Sequence, residues 1–89
     1  MCDTLTIATL GHVDNRQLLA LSLARRLAGS GEARAIRQSA GLSLKDVADA
    51  VGSTPSGVWR WERGERGPRG LPGVAYGDLL RDLQRAAAA

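Results

Sequence analysis

The sequence predicts an all-α fold, a small bundle of about five helices, and three observations carry that expectation. Apolar residues recur at helical spacing in successive segments, with glycines between them. Residues that cap helices, Asp14, Ser43 and Thr54, stand where those segments begin. The 89 residues include no Phe, two Trp and one Tyr, so a single modest core must be built from Leu, Val, Ile and Ala, with Trp61 and Tyr76.

In chain order, residues 4–10 alternate Leu5 and Ile7 with threonines, the pattern of a short strand or an extended arm. Asp14 and Gln17 form a capping-box start, and Leu18, Leu19, Leu23 and Leu27 support a helix ending at Ala28 before Gly29. Its apolar residues exceed one narrow stripe, since Leu18 and Leu21 flank the Leu19, Leu23, Leu27 row. That surplus suits either an additional helix packed on the bundle or a dimer contact. Gly29, Ser30 and Gly31 then lead into a helix over residues 32–40, closed by Gly41.

Residues 42–64 are the most informative stretch. Ser43 caps a helix, with Asp46 as its capping-box partner, and Val47, Ala48 and Val51 face inward while Lys45, Asp46 and Asp49 stay wet. Gly52 ends it, since glycine adopts the left-handed conformation without a Cβ penalty. Thr54 caps the next helix, and Pro55 takes the first helical position, where its missing amide is harmless. Gly64 closes that second helix. Two short helices joined by one tight turn are the arrangement with which many proteins read DNA.

Periodicity divides the second helix. Positions 55, 58, 61 and 62 form one face, whereas Ser56, Trp59, Arg60 and Arg63 share the other. Trp61, in phase with Val58, belongs in the core, and Trp59 is left exposed beside two arginines. A helix in a major groove accounts for that face: arginine grips guanine through two bonds, and apolar surface meets thymine methyls.

The stretch resembles the helix-turn-helix of the lambda-repressor, Cro and xenobiotic-response-element (XRE) type of bacterial and phage regulators. That family asks for Ala and Gly at the positions of Ala48 and Gly52, and for apolar residues where Val47, Val51, Val58 and Trp61 stand. The phrase Trp61, Glu62, Arg63, Gly64 is similar to the end of its recognition helix, and the run from Ile36 to Leu42 is similar to its first helix. The resemblance covers residues 33–83 and implies a lambda-repressor-like fold. It also implies an ion pair between Arg37 and Glu62, and phosphate contacts by Arg66 and Arg69. Two positions depart from the pattern. Leu44 stands where Gln is frequent, which removes a side-chain contact at the helix edge, and Ser53 replaces an apolar residue, which leaves the turn less anchored and the core around Val51 smaller.

Beyond this unit, residues 64–73 hold four Gly and two Pro, a flexible connector whose Arg66 and Arg69 can follow a phosphate backbone. A last helix is expected over residues 72–85, with Val74, Tyr76, Leu79, Leu80 and Leu83 on its buried face. Gly77 weakens its middle by about 1 kcal/mol relative to Ala. Residues 86–89 are expected to fray. The resulting organisation is residues 1–29 as arm and extra helix for packing or a dimer contact, 30–85 as the DNA-binding domain, and 86–89 as an alanine tail.

The formal net charge of +3 favours a polyanionic partner. Lys45 is the only lysine, so eleven of the twelve basic residues are arginine, a bias that GC-rich codon usage explains as well as phosphate recognition does. Location says more: Arg60, Arg63, Arg66 and Arg69 cluster in and just after the proposed recognition helix. Cys2 is the single cysteine, which leaves neither an internal disulfide nor a thiolate metal site and points to the cytoplasm, with nucleoid association through DNA. The longest apolar stretch, residues 18–24, is interrupted by Ser22 and followed by Arg25 and Arg26, so no membrane span is expected. Residues 7–14 are similar to a nucleotide phosphate loop, but Arg16, Gln17 and Leu18 stand where the second Gly, Lys and Ser/Thr would be needed. His12 is isolated, and one Cys and one His assemble no catalytic group, so neither an enzyme, a cofactor nor a small-molecule ligand is expected.

The function expected is sequence-specific binding of double-stranded DNA to regulate transcription, in the manner of a phage or mobile-element repressor or Cro-like protein. Thr54, Ser56, Trp59, Arg60 and Arg63 form the recognition surface, and Lys45, Arg66 and Arg69 the phosphate contacts. The alternative is a protein-interaction module, such as an antitoxin or a coactivator-like bridging protein on the same fold. Steep salt dependence of DNA affinity separates the two. A homodimer on two half-sites and a monomer on an asymmetric site both stay open.

Overall fold

A computed structural model describes residues 14–88, which form five helices and no strand: α1 Asn15–Ser30, α2 Glu32–Ser39, α3 Leu44–Val51, α4 Pro55–Glu62 and α5 Gly70–Ala88. The expected arm over residues 4–10, together with Cys2 and His12, lies outside the described residues.

The starts of α1 and α3 follow from local chemistry. Asp14 accepts from the Gln17 amide at 2.8 Å while the Gln17 side chain accepts from the Asp14 amide at 3.1 Å, a reciprocal cap for α1. Ser43 and Asp46 repeat that exchange at α3, at 3.0 and 2.9 Å. The bonds from the Ser43 amide and hydroxyl hold the Asp46 carboxyl below its ordinary value.

The ends of α1 and α5 differ from expectation. α1 runs through Gly29 and Ser30, because the chain turns left-handed only at Gly31, φ 87°. The Ser30 hydroxyl donates to the Leu27 carbonyl at 3.2 Å, satisfying an acceptor of the last turn. α5 begins at Gly70 and continues past Arg85, so residues 86–88, part of the tail expected to fray, are helical. Alanine has the highest helix propensity of any residue.

One core joins all five helices. Ala24, Leu27 and Ala28 of α1 meet Ala33 of α2, Val47, Ala48 and Val51 of α3, Val58 and Trp61 of α4, and Tyr76 and Leu80 of α5. Trp61 and Tyr76 form its aromatic centre, with ring centroids 4.9 Å apart and planes tilted by 39°. Leu79 is half-buried beside this cluster.

α1 packs chiefly against α5, where a second small cluster of Ala20, Leu21 and Val74 forms. Gly77 is decisive there. A Cβ on it would be driven into the Ala20 carbonyl, and one on Gly73 would lie 2.7 Å from a Leu21 methyl and 2.9 Å from the Pro68 carbonyl carbon. The sequence reading of Gly77 as a weak point is therefore corrected: its missing side chain lets two helices touch backbone to backbone.

Candidate nucleic-acid interface

The turn between α3 and α4 fixes the direction of α4. Gly52 adopts φ 80°, and its amide and that of Ser53 both donate to the Ala48 carbonyl at 3.0 Å. Thr54 Oγ1 accepts from the Gly57 amide at 3.0 Å, so α4 begins with a satisfied donor and Pro55 at its first turn. Ser53 is half-buried, and its Oγ lies 2.8 Å from where a Gly57 Cβ would stand. Gly57, which sequence reasoning passed over, leaves the room that the Ser53 side chain occupies at this turn.

α4 has two distinct sides. Val58, Trp61 and Glu62 are buried, while Ser56, Trp59, Arg60 and Arg63 are exposed, as is Thr54 just before them. Trp59 retains 42% of its surface even though the Arg63 guanidinium lies over its ring, 4.6 Å from the centroid. Arg63 also donates from Nε to Glu65 at 2.9 Å, leaving its other nitrogens for a partner. Arg60 is in no ion pair or side-chain hydrogen bond of the described residues and is the least committed cation of this face. Glu62, on the inner side, is locked to Arg37 of α2.

After α4 the chain turns at Gly64, φ 74°, and residues 65–69 connect it to α5. Pro68 is fully buried, and its carbonyl accepts from Arg25 Nε of α1 at 2.9 Å. The connector expected to be flexible is therefore pinned at its centre, with Arg66 and Arg69 exposed on either side of the pin. Lys45 is fully exposed on α3 and donates to Asp49 at 2.7 Å, one turn on, which raises its pKa above the ordinary lysine value.

Sequence reasoning missed Arg25, Pro68 and Glu65. Glu65 had a signal, being a carboxylate two residues from Arg63. Arg25 and Pro68 had none, because 43 residues separate them. Among the described residues no group of His, Cys, Asp and Glu could hold a metal ion, and no helix is long and apolar enough to cross a membrane.

The assembled site is a short, capped helix with a cationic and aromatic outer face, set by a glycine turn against a second helix and followed by a braced basic connector. It offers hydrogen-bond donors, a π-face and cationic side chains of the kind that suit base edges and phosphates. No curated protein matches the chain, and no solved structure does. Residues 30–71, which hold α2, α3, α4 and the connector, match the family model described as a helix-turn-helix domain.

Proposed function

We propose that this chain is a sequence-specific, double-stranded-DNA-binding transcriptional regulator of the XRE type, acting in the cytoplasm on the nucleoid as a phage or mobile-element repressor or Cro-like protein. The observation that carries the reading is the division of α4, with Trp59, Arg60 and Arg63 outward and Val58, Trp61 and Glu62 inward, within a helix-turn-helix domain. On this reading α4 lies in the major groove. Arg60 and Arg63 reach base edges or adjacent phosphates, Ser56 and Trp59 line the groove surface, and Thr54 meets a phosphate near the helix N-terminus, where free amides attract anions. Lys45, Arg66 and Arg69 follow the backbone. Residues 30–85 carry the DNA contact, and residues 1–29 add packing or a contact with a second copy, with residues 86–89 as a tail.

Selection from randomised duplex oligonucleotides tests the proposal. The expected outcome is an enriched site, an affinity that falls steeply with salt, and an Arg60→Ala variant that loses preference at one base pair at a cost of about 1–3 kcal/mol. Recovery of no preferred sequence by the wild-type chain would overturn the specific regulator. A protein-interaction module on the same fold would then be the better description.

A further inference from the structure

We infer that Arg25 of α1, outside the stretch that matches the helix-turn-helix family, joins Arg66 to seat one phosphate of the DNA backbone. The inference rests on the proposed DNA binding and assigns a contact to the helix that sequence reading reserved for packing or dimerisation.

A concavity of about 110 Å³ lies between the C-terminal half of α1 and the connector, lined by Arg25, Ala28, Trp61, Gly64, Arg66 and Pro68 among others. Both charged residues in its lining are arginines; no carboxylate is among them. Arg25 spends one donor, Nε, on the Pro68 carbonyl. A guanidinium carries five N–H donors in a planar fork, so four remain, in the geometry that suits a phosphate. The bond to Pro68 fixes the base of that fork, so its orientation is set before a ligand arrives. Arg66 and Gly67 stand on the connector wall, and their amides make no backbone hydrogen bond among the described residues. Glu65, the nearest carboxylate in sequence, is held by Arg63.

The connector leaves the C-terminal end of α4 directly, so a phosphate in this seat would flank the groove that α4 occupies. That position favours a phosphodiester over a free anion.

The test is a scan of the selected duplex with single methylphosphonate linkages, each of which neutralises one phosphate. Wild-type protein is expected to lose roughly tenfold in affinity when the seated phosphate is neutralised, the range of one hydrogen-bonded charge pair. Arg25→Gln and Arg66→Gln are each expected to bind unmodified DNA several-fold more weakly and to lose most of their sensitivity at that same linkage. Arg25→Lys keeps the charge and is expected to keep the sensitivity, which covers the case of a poorly folded Arg25→Gln. Variants that fold, bind more weakly, and remain as sensitive as wild type at every linkage would overturn the inference while leaving the DNA-binding proposal standing. Wild-type protein that binds no duplex would overturn both. A melting-temperature gain in inorganic phosphate over chloride at equal ionic strength, abolished by Arg25→Gln without a change at any linkage, would make the seat a free-anion site and overturn its assignment to DNA.

Discussion

Arg37 holds Glu62 through two nitrogens at once, Nε 2.6 Å from Oε2 and Nη2 3.1 Å from Oε1, while its Nη1 donates to the Leu42 carbonyl at 2.8 Å. The side chains keep only 12% and 3% of their surface, so water screens the pair little. The bond to Glu62 raises the Arg37 pKa further above its ordinary value. One guanidinium thereby ties α2, the turn before α3 and the inner face of α4 together.

Removing one partner strands the other charge. Glu62→Gln or Arg37→Met is expected to lower unfolding free energy by about 3 kcal/mol, and the double replacement by methionines to recover most of it. Urea unfolding midpoints with an unchanged slope measure this. A single variant within about 0.5 kcal/mol of wild type would show that the pair does not hold the helices.

Gly77→Ala sets helix propensity against packing. Propensity alone would stabilise α5 by about 1 kcal/mol. The Ala20 carbonyl occupies the space of the new methyl, so the expected outcome is a loss of roughly 3 kcal/mol or more, seen as a fall in melting temperature. A more stable variant would mean that α1 and α5 do not cross this closely.

Tyr76 carries a buried hydroxyl with no hydrogen-bond partner among the described residues, and burial pushes its pKa well above the ordinary 10.0. The unfolded chain releases this proton at the ordinary value and the folded chain only above it. The group's contribution is therefore fully present below about pH 10 and is lost as pH rises further. Tyr76→Phe is expected to be neutral or to stabilise by up to about 1 kcal/mol near pH 7, since an unpaired polar group disappears. It should also weaken the alkaline loss of stability. Urea titrations of both proteins near pH 8 and pH 11 check the two expectations together; a variant destabilised by about 2 kcal/mol at neutral pH would reveal a partner for the hydroxyl.

Leu18 and Leu19 keep 51% and 73% of their surface on α1. If a second copy covers them, sedimentation of the chain on its selected site should report two copies, and Leu18→Ser with Leu19→Ser should reduce this to one without lowering the melting temperature of the free protein by more than a few degrees. Unchanged stoichiometry would place the contact elsewhere. Deletion of α1 is the wrong test, because Ala24, Leu27 and Ala28 are core residues.

What the sequence made legible was local. The caps at Asp14, Ser43 and Thr54 each act within three residues, and the two faces of α4 follow from its period alone. The misreadings are of another kind. Gly29 looked like a stop, yet a glycine ends a helix by adopting positive φ, and Gly31 does so instead. Gly77 read as a weak position because its neighbour Ala20 belongs to a distant helix. The role of Arg25 at Pro68 depends on how α1 is laid against the connector, which no spacing in the sequence encodes.

The shared core also separates two units that are easily taken for one. The part of the chain that can be recognised spans residues 30–71, whereas the part that must fold together draws Leu27 from before it and Tyr76 and Leu80 from after it. Residues 30–71 excised alone would keep α4 as text and lose the walls that hold it straight. Grafting α4 onto another scaffold would therefore mean transplanting the bracing helices along with the motif they brace.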